Sequence, residues 1–240
     1  MLKVSQINKA YHKKNAVAGL SFLMMPGEIT GLIGPNGAGK STTVSMIATL
    51  LKPDSGSILF EGEDIVKNPE VIRKHLGYVP QDIALYESLT GWDNLSFFGS
   101  AYHVKPHVLR ERIKIIRDQI GFTEELLHRK VKEYSGGMKR RLNIGVALLN
   151  EPKLVILDEP TVGIDIKSRK QILNTIQMLK EKGTAVLYVG HYMEEVERLC
   201  DRVLIMNQGE CILNAKLSEV LRPKGKAETI EKLYEMMNIG

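Results

Sequence analysis

Two periodicities divide the chain. Up to about residue 80 the apolar residues come in short runs and alternations, and after Pro152 such runs return. Between them, from about Gly91 to Asn150, apolar residues recur at three and four. A period near two reads as strand and a period of three and four as helix. Residues 2–8 alternate imperfectly, residues 16–25 are β-like, and residues 29–33 and 57–60 are apolar runs, so each predicts a strand. Residues 77–80 add a short one. Pro26-Gly27-Glu28, Pro53-Asp54-Ser55-Gly56 and Glu61-Gly62-Glu63 punctuate them as turns. Residues 42–51 predict a helix and residues 69–76 a shorter one.

In the middle, Leu109, Ile113, Ile116 and Ile120 step by four, three and four, which is one face of a helix. Met138, Leu142, Val146 and Leu149 form a second such stripe. This is the pattern of a helical subdomain inserted in an α/β chain, at about residues 82–150. Residues 154–157 are wholly apolar, as a strand buried on both faces of a parallel sheet must be. Asp165 predicts the N-cap of a helix running to Lys182 and ended by Gly183. A strand at 184–189 and a helix at 191–199 follow. Residues 203–206 and 211–213 flank Asn207-Gln208-Gly209-Glu210 and predict a hairpin. Beyond an α/β unit of residues 1–215, residues 216–240 read as an appendage: short helices at 216–221 and 227–237 around Pro223-Lys224-Gly225.

Composition changes this picture little. At 43% hydrophobic and 25% charged, the chain is of ordinary globular character. No apolar run approaches the roughly 18–20 residues that span a bilayer. The first residues lack the apolar core of an export signal. The two cysteines, Cys200 and Cys211, make no disulfide framework, and a reducing cytoplasm is the economical expectation. The net charge of +5 is scattered among acids, and the Lys139-Arg140-Arg141 triplet is too short to carry a nucleic-acid interface, so none is expected.

The chemistry centres on Gly34-Pro35-Asn36-Gly37-Ala38-Gly39-Lys40-Ser41-Thr42. This fits the phosphate-cradling pattern of a glycine-rich turn closed by Lys and a hydroxyl residue. An apolar strand precedes it and a helix follows. Backbone N–H groups then converge on one hollow at a helix N-terminus. Lys40 would reach the β- and γ-phosphates and the Ser41 hydroxyl would ligate Mg²⁺. The fold class is therefore α/β, a P-loop NTPase core with a parallel sheet. Asp158, at the end of the buried 154–157 run, is placed for the nucleotide's Mg²⁺, and Glu159 beside it for polarising an attacking water. Neighbouring carboxylates repel, so separate tasks are the economical reading. Tyr134-Ser135-Gly136-Gly137-Met138 is a second glycine turn entering a helix, hence a second anion-seeking N-terminus.

With these motifs in this order, residues 2 to about 215 resemble the ATP-binding-cassette ATPase subunits of membrane transporters. Y-S-G-G-M resembles the family signature, usually L-S-G-G-Q. The resemblance implies a RecA-like core with an N-terminal antiparallel β part and the inserted helical subdomain. It implies ATP and Mg²⁺, and a head-to-tail homodimer in which each ATP lies between the Gly34–Thr42 loop of one copy and Ser135, Gly136 and Gly137 of the other. Tyr11 matches the residue that stacks on adenine, Gln81 the glutamine near the γ-phosphate and Mg²⁺, and His191 the histidine that contacts the γ-phosphate and orients Glu159. Asp165 matches the loop that meets the opposite copy. Tyr134, Met138 and Gly190 depart from the commoner residues.

The expected function is ATP hydrolysis that powers a separate integral membrane permease, the chain sitting on the cytoplasmic face of the membrane. The permease is expected to dock near Gln81, against residues 82–90. Residues 88–97 and S-G-G-M-K-R-R-L resemble exporter types that handle drugs, antibiotics or lipids. Two alternatives stay open: a cassette ATPase of a soluble machine (cluster assembly, ribosome or DNA-associated), and a phosphotransferase. Water activation at Glu159 speaks against the second.

Overall fold

The computed structural model describes residues 1–12, 14–221 and 229–237. The Pro223-Lys224-Gly225 turn and the first two residues of the 227–237 helix lie outside the described residues. Among those described, the strands form two sheets. The first is antiparallel: β1 (Leu2–Tyr11) lies between β2 (Lys14–Met24) and β4 (Ser55–Phe60), and β5 (Glu63–Asp64) edges β4.

The second sheet has the order β10 (Glu210–Lys216), β9 (Arg202–Asn207), β3 (Ile29–Ile33), β8 (Ala185–Val189), β7 (Leu154–Asp158), β6 (Leu76–Val79). All neighbours are parallel except the β9–β10 hairpin. β3, β7 and β8 are buried along their whole length, which is why they read as apolar runs without alternation.

Alternate residues of these strands feed two cores. Val155 and Leu157 of β7 and Val186 and Tyr188 of β8 join the helical side. Leu154, Ile156, Ala185, Leu187 and Val189 join the side covered by the antiparallel sheet and by α1 (Lys40–Ile47).

Between β4 and β6 lies the short α2 (Glu70–Arg73). The inserted helices are α3 (Gly91–Ala101), α4 (Pro106–Gln119), α5 (Glu124–Leu127) and α6 (Gly136–Ala147), with a 3₁₀ turn at Val131–Glu133. Thr90 caps α3 in a reciprocal box with Asp93. The predicted stripe is the buried one: Leu109, Ile113, Ile116 and Ile120 are all nearly inaccessible. They share one continuous core with the sheet's helical side, so the insertion has no separate core of its own.

α7 (Ile166–Glu181) is capped by Asp165, whose Oδ1 accepts the Ser168 N–H at 2.9 Å. α8 (Met193–Leu199) follows β8, α9 (Leu217–Val220) follows β10, and α10 (Ile230–Met236) packs Ile230 fully buried against the same core. Cys200 and Cys211 are both free. No helix among the described residues is long and apolar enough to cross a membrane.

Candidate functional site

Four adjacent parallel strands, β3, β8, β7 and β6, point their carboxyl ends the same way, and each is followed by one predicted site segment. The Gly34–Thr42 loop follows β3, His191 follows β8, Asp158 and Glu159 close β7, and Gln81 follows β6. Ligands in α/β sheets collect at this rim. Here the rim bounds a cleft of about 490 Å³ lined by residues 36–42, Gln81, Glu159, His191 and Tyr11. Lys14 and Ala16, which sequence reasoning did not single out, line it too. Tyr11 is half exposed there, as a stacking platform requires.

The loop folds as it does because β3 stops against a neighbour. A Cβ on Gly34 would lie 2.2 Å from the Met206 carbonyl oxygen, and Gly39 stands at φ 103° at the head of α1. α1 therefore starts at Lys40, two residues before the sequence pattern suggests. Lys40 is buried, and its ammonium donates to the carbonyls of Gly34 at 2.7 Å and Pro35 at 3.1 Å. Burial lowers its pKa, against the pull of Glu159 and Asp158. The loop thus holds a buried cation bonded to its own backbone carbonyls. Ser41 is exposed to the cleft.

Asp158 is 8% exposed, and burial, with the Glu159 charge beside it, raises its pKa. Glu159 sits at φ 50°, in the left-handed region, held there by its N–H donating to the Val189 carbonyl at 2.9 Å. Such a backbone costs on the order of 1–3 kcal/mol and persists only where the surroundings impose it. Its effect is to turn the Glu159 side chain away from Asp158's strand direction and into the cleft. There Gln81 Nε2 donates to Glu159 Oε2 at 2.9 Å, and His191 Nε2 meets Glu159 Oε1. The three predicted catalytic side chains form one connected group.

Ser135, Gly136, Gly137 and Asp165 do not line this cleft. Ser135 caps α6, its Oγ accepting the Met138 N–H at 3.3 Å. α6 is tied to the cleft through Arg140, a residue the sequence reading missed. Its guanidinium, 6% exposed, donates to the carbonyls of Pro80 at 2.7 Å and Gln81 at 2.5 Å. The basic triplet is spent internally: Lys139 pairs with Glu87, and Arg141 donates to the carbonyls of Ile120 and Gly121.

The family described as ABC transporter matches residues 17–162. The chain belongs to that family. It is 50% identical over 212 residues, 88% of this chain and 68% of the relative, to the linearmycin resistance ATP-binding protein LnrL of Bacillus subtilis (strain 168). A solved ATP-binding subunit of an ABC transporter superposes with TM-score 0.89 at 30% identity, covering 99% of both chains. A dimeric ATP-binding cassette in a post-hydrolysis state, bound to ADP and Pi, superposes with TM-score 0.81 at 25% identity, covering 90% of this chain and 99% of that one.

As an ABC cassette, the chain accommodates its departures locally. Tyr134, at the head of the signature, is buried and donates to the Leu126 carbonyl at 2.6 Å. Its ring meets Phe122 edge-on, and burial raises its pKa to about 12. The hydroxyl thus anchors the turn to α5. Gly190 leaves room for the Tyr188 ring, which a Cβ there would meet at 2.5 Å. Gly137 packs against the start of α7. A Cβ on it would lie 2.4 Å from Ser168 Oγ and 2.6 Å from Asp165 Oδ2. Gly137→Ala is therefore expected to cost about 1–3 kcal/mol through overpacking and to lower ATPase activity while leaving unchanged the ATP affinity of the isolated monomer, whose cleft Gly137 does not line. Denaturant unfolding and nucleotide titration check the two halves of that expectation.

Proposed function

We propose that this ABC cassette hydrolyses ATP, closes on a second copy of itself when ATP is bound, and powers a separate membrane permease. The observation that carries the reading is the Glu159 carboxylate, held by Gln81 and His191 in the cleft that the Lys40 loop floors. The triphosphate lies along residues 34–42, Lys40 exchanging its backbone carbonyls for β- and γ-oxygens, with the adenine on Tyr11. A water at the γ-phosphorus gives its proton to Glu159 as its oxygen attacks. The β–γ bridging bond breaks and ADP leaves with the electron pair. His191 contacts the γ-phosphate and fixes the carboxylate's orientation.

Mg²⁺ fits the donor set. The Ser41 hydroxyl, the Gln81 amide oxygen and the Asp158 carboxylate are hard oxygen donors, too few to fill an octahedral shell, which suits an ion that also takes phosphate ligands. Ser41, Gln81 and the crowded Asp158 would hold it, and it would neutralise charge on the phosphate oxygens.

In this reading Ser135, Gly136 and Gly137, which lie outside the cleft, serve the nucleotide of the opposite copy as the family pattern implies, and Asp165 meets that copy as well. The dimeric state of the related cassette supports this. The permease docks beside Gln81, where Tyr86 and Phe97 are both 48% exposed and pack edge to face. Resistance in the name of the 50% identical relative supports an exporter. This docking holds the chain on the inner face of the cell membrane.

Two measurements test the reading. Purified protein is expected to release phosphate from ATP with no acceptor present, which a phosphotransferase does not do. The tagged chain is expected to retain an integral membrane protein from detergent-solubilised membranes. Recovery with RNA or a scaffold protein instead would assign it to a soluble machine.

A further inference from the structure

Behind the cleft lies a buried carboxylate that the mechanism above does not use. Glu195, in the first turn of α8, is 3% exposed. Three donors from three segments converge on it. Thr161 Oγ1, two residues past Glu159, donates to Glu195 Oε2 at 2.7 Å. The Tyr188 hydroxyl, from β8, donates to the same oxygen. Arg169 Nε, one turn into α7, donates to Oε1. The Arg169 guanidinium also lies 4.3 Å from the centroid of the Tyr192 ring, next to His191. Burial, with the Glu195 charge in contact, keeps the Tyr188 hydroxyl protonated and therefore a donor.

We propose that Glu195 is a positioning residue for hydrolysis: it locks the segments that carry Glu159 and His191 to each other and to the head of α7. The inference rests on the water-activating role of Glu159. The energetic argument is that packing alone does not call for a carboxylate here. Buried ion pairs are often replaceable by apolar side chains without loss of stability. A fully satisfied buried network, in contrast, fixes directions. The directions fixed are those of the β7 and β8 exits. Thr161 and Tyr188 flank the bond from the Glu159 N–H to the Val189 carbonyl that holds Glu159 in its strained conformation. The Arg169 link adds α7, whose capping Asp165 packs over Gly137 of the signature turn.

Glu195→Gln separates the contacts. One amide oxygen can still accept from the hydroxyls, while the amide nitrogen turns a donor towards Arg169. Displacements of about 1 Å at a reacting group cost on the order of a hundredfold, so kcat is expected to fall about ten- to a hundredfold. ATP affinity stays within about twofold, because no contact to the Lys40 loop changes. In a His191→Ala background, followed by single-turnover hydrolysis of radiolabelled ATP, the same change is expected to cost less than about twofold, since the geometry it protects is already gone. Wild-type kcat in Glu195→Gln, or an undiminished loss in the His191→Ala background, would overturn the proposal. Should Glu195→Gln fail to fold, Tyr188→Phe and Thr161→Val each remove one donor. Folded and fully active forms of both would overturn it equally. Glu159→Gln measured alongside keeps the two failures apart: normal hydrolysis by that variant overturns the water-activation reading and the positioning with it, whereas blocked hydrolysis there with wild-type kcat in Glu195→Gln overturns the positioning alone.

Discussion

Glu159→Gln is expected to stop turnover and to accumulate an ATP-bound dimer. The amide is nearly isosteric with the carboxylate, so the backbone at φ 50° and its bond to Val189 are unaffected. One amide oxygen can accept from Gln81 or from His191 but has no basic lone pair to take a proton from water. Losing a general base costs about 10²–10⁴ in rate, or about 3–5 kcal/mol of barrier. Binding moves the other way. Asp158 and Glu159 are a like-charge pair at the edge of a site built for a polyanion, and Glu159 contributes to the raised pKa of Asp158. Removing one charge lowers repulsion towards the γ-phosphate, so ATP should be held longer and the closed dimer should persist. Size-exclusion chromatography in saturating ATP and Mg²⁺, with phosphate release measured in parallel, checks both. A monomer under those conditions, or normal phosphate release, would remove Glu159 from its assigned role.

Most residues that form the cleft are readable because they stand where a periodic pattern breaks, whereas Lys14 and Ala16 carry no such signal. The Gly34–Thr42 loop interrupts an apolar run before a helix, and Asp158-Glu159 and His191 follow runs of buried strand. The α4 stripe was readable because its period is helical throughout. Where reading ended, the reason is spatial. The 203–213 hairpin was visible as a hairpin, but its place beside β3 is set by pairing across more than 160 residues, with Leu32 opposite Leu204. The carboxyl end of α1 comes at Ile47, short of the predicted residue 51, and Thr49 just beyond it stands at φ 58°. The Arg140 and Glu195 contacts have no sequence signal at all. Arg140 stands in a short basic triplet, and Glu195 is one more acid on a helix between Glu194 and Glu197. Only burial, at 6% and 3% exposure, distinguishes them.

Lys40→Ala should act on binding rather than on chemistry, which makes it the counterpart of Glu159→Gln. The Lys40 ammonium is the buried cation among the loop's backbone donors, and it makes two hydrogen bonds to backbone carbonyls. Exchanging those carbonyls for phosphate oxygens replaces neutral acceptors by charged ones, and charge-assisted bonds are worth about 1.5–3 kcal/mol each. Losing two corresponds to about 3 kcal/mol or more, a hundredfold or greater loss of ATP affinity. The folded state itself should tolerate the change. Burial already works against this charge and lowers its pKa, and Lys40 itself lines the open cleft, so water can take the space its side chain leaves. The nucleotide-free Tm should therefore change little, whereas the rise in Tm that saturating ATP gives the native chain should disappear, because that rise scales with the ratio of ligand concentration to Kd. Lys40→Arg should not restore it: the planar guanidinium is larger than the ammonium that the Gly34–Gly39 hollow encloses. An undiminished ATP-dependent shift in Lys40→Ala would mean that the nucleotide binds without this loop's cation, and that the cleft at the carboxyl ends of β3, β8, β7 and β6 is not where ATP is held.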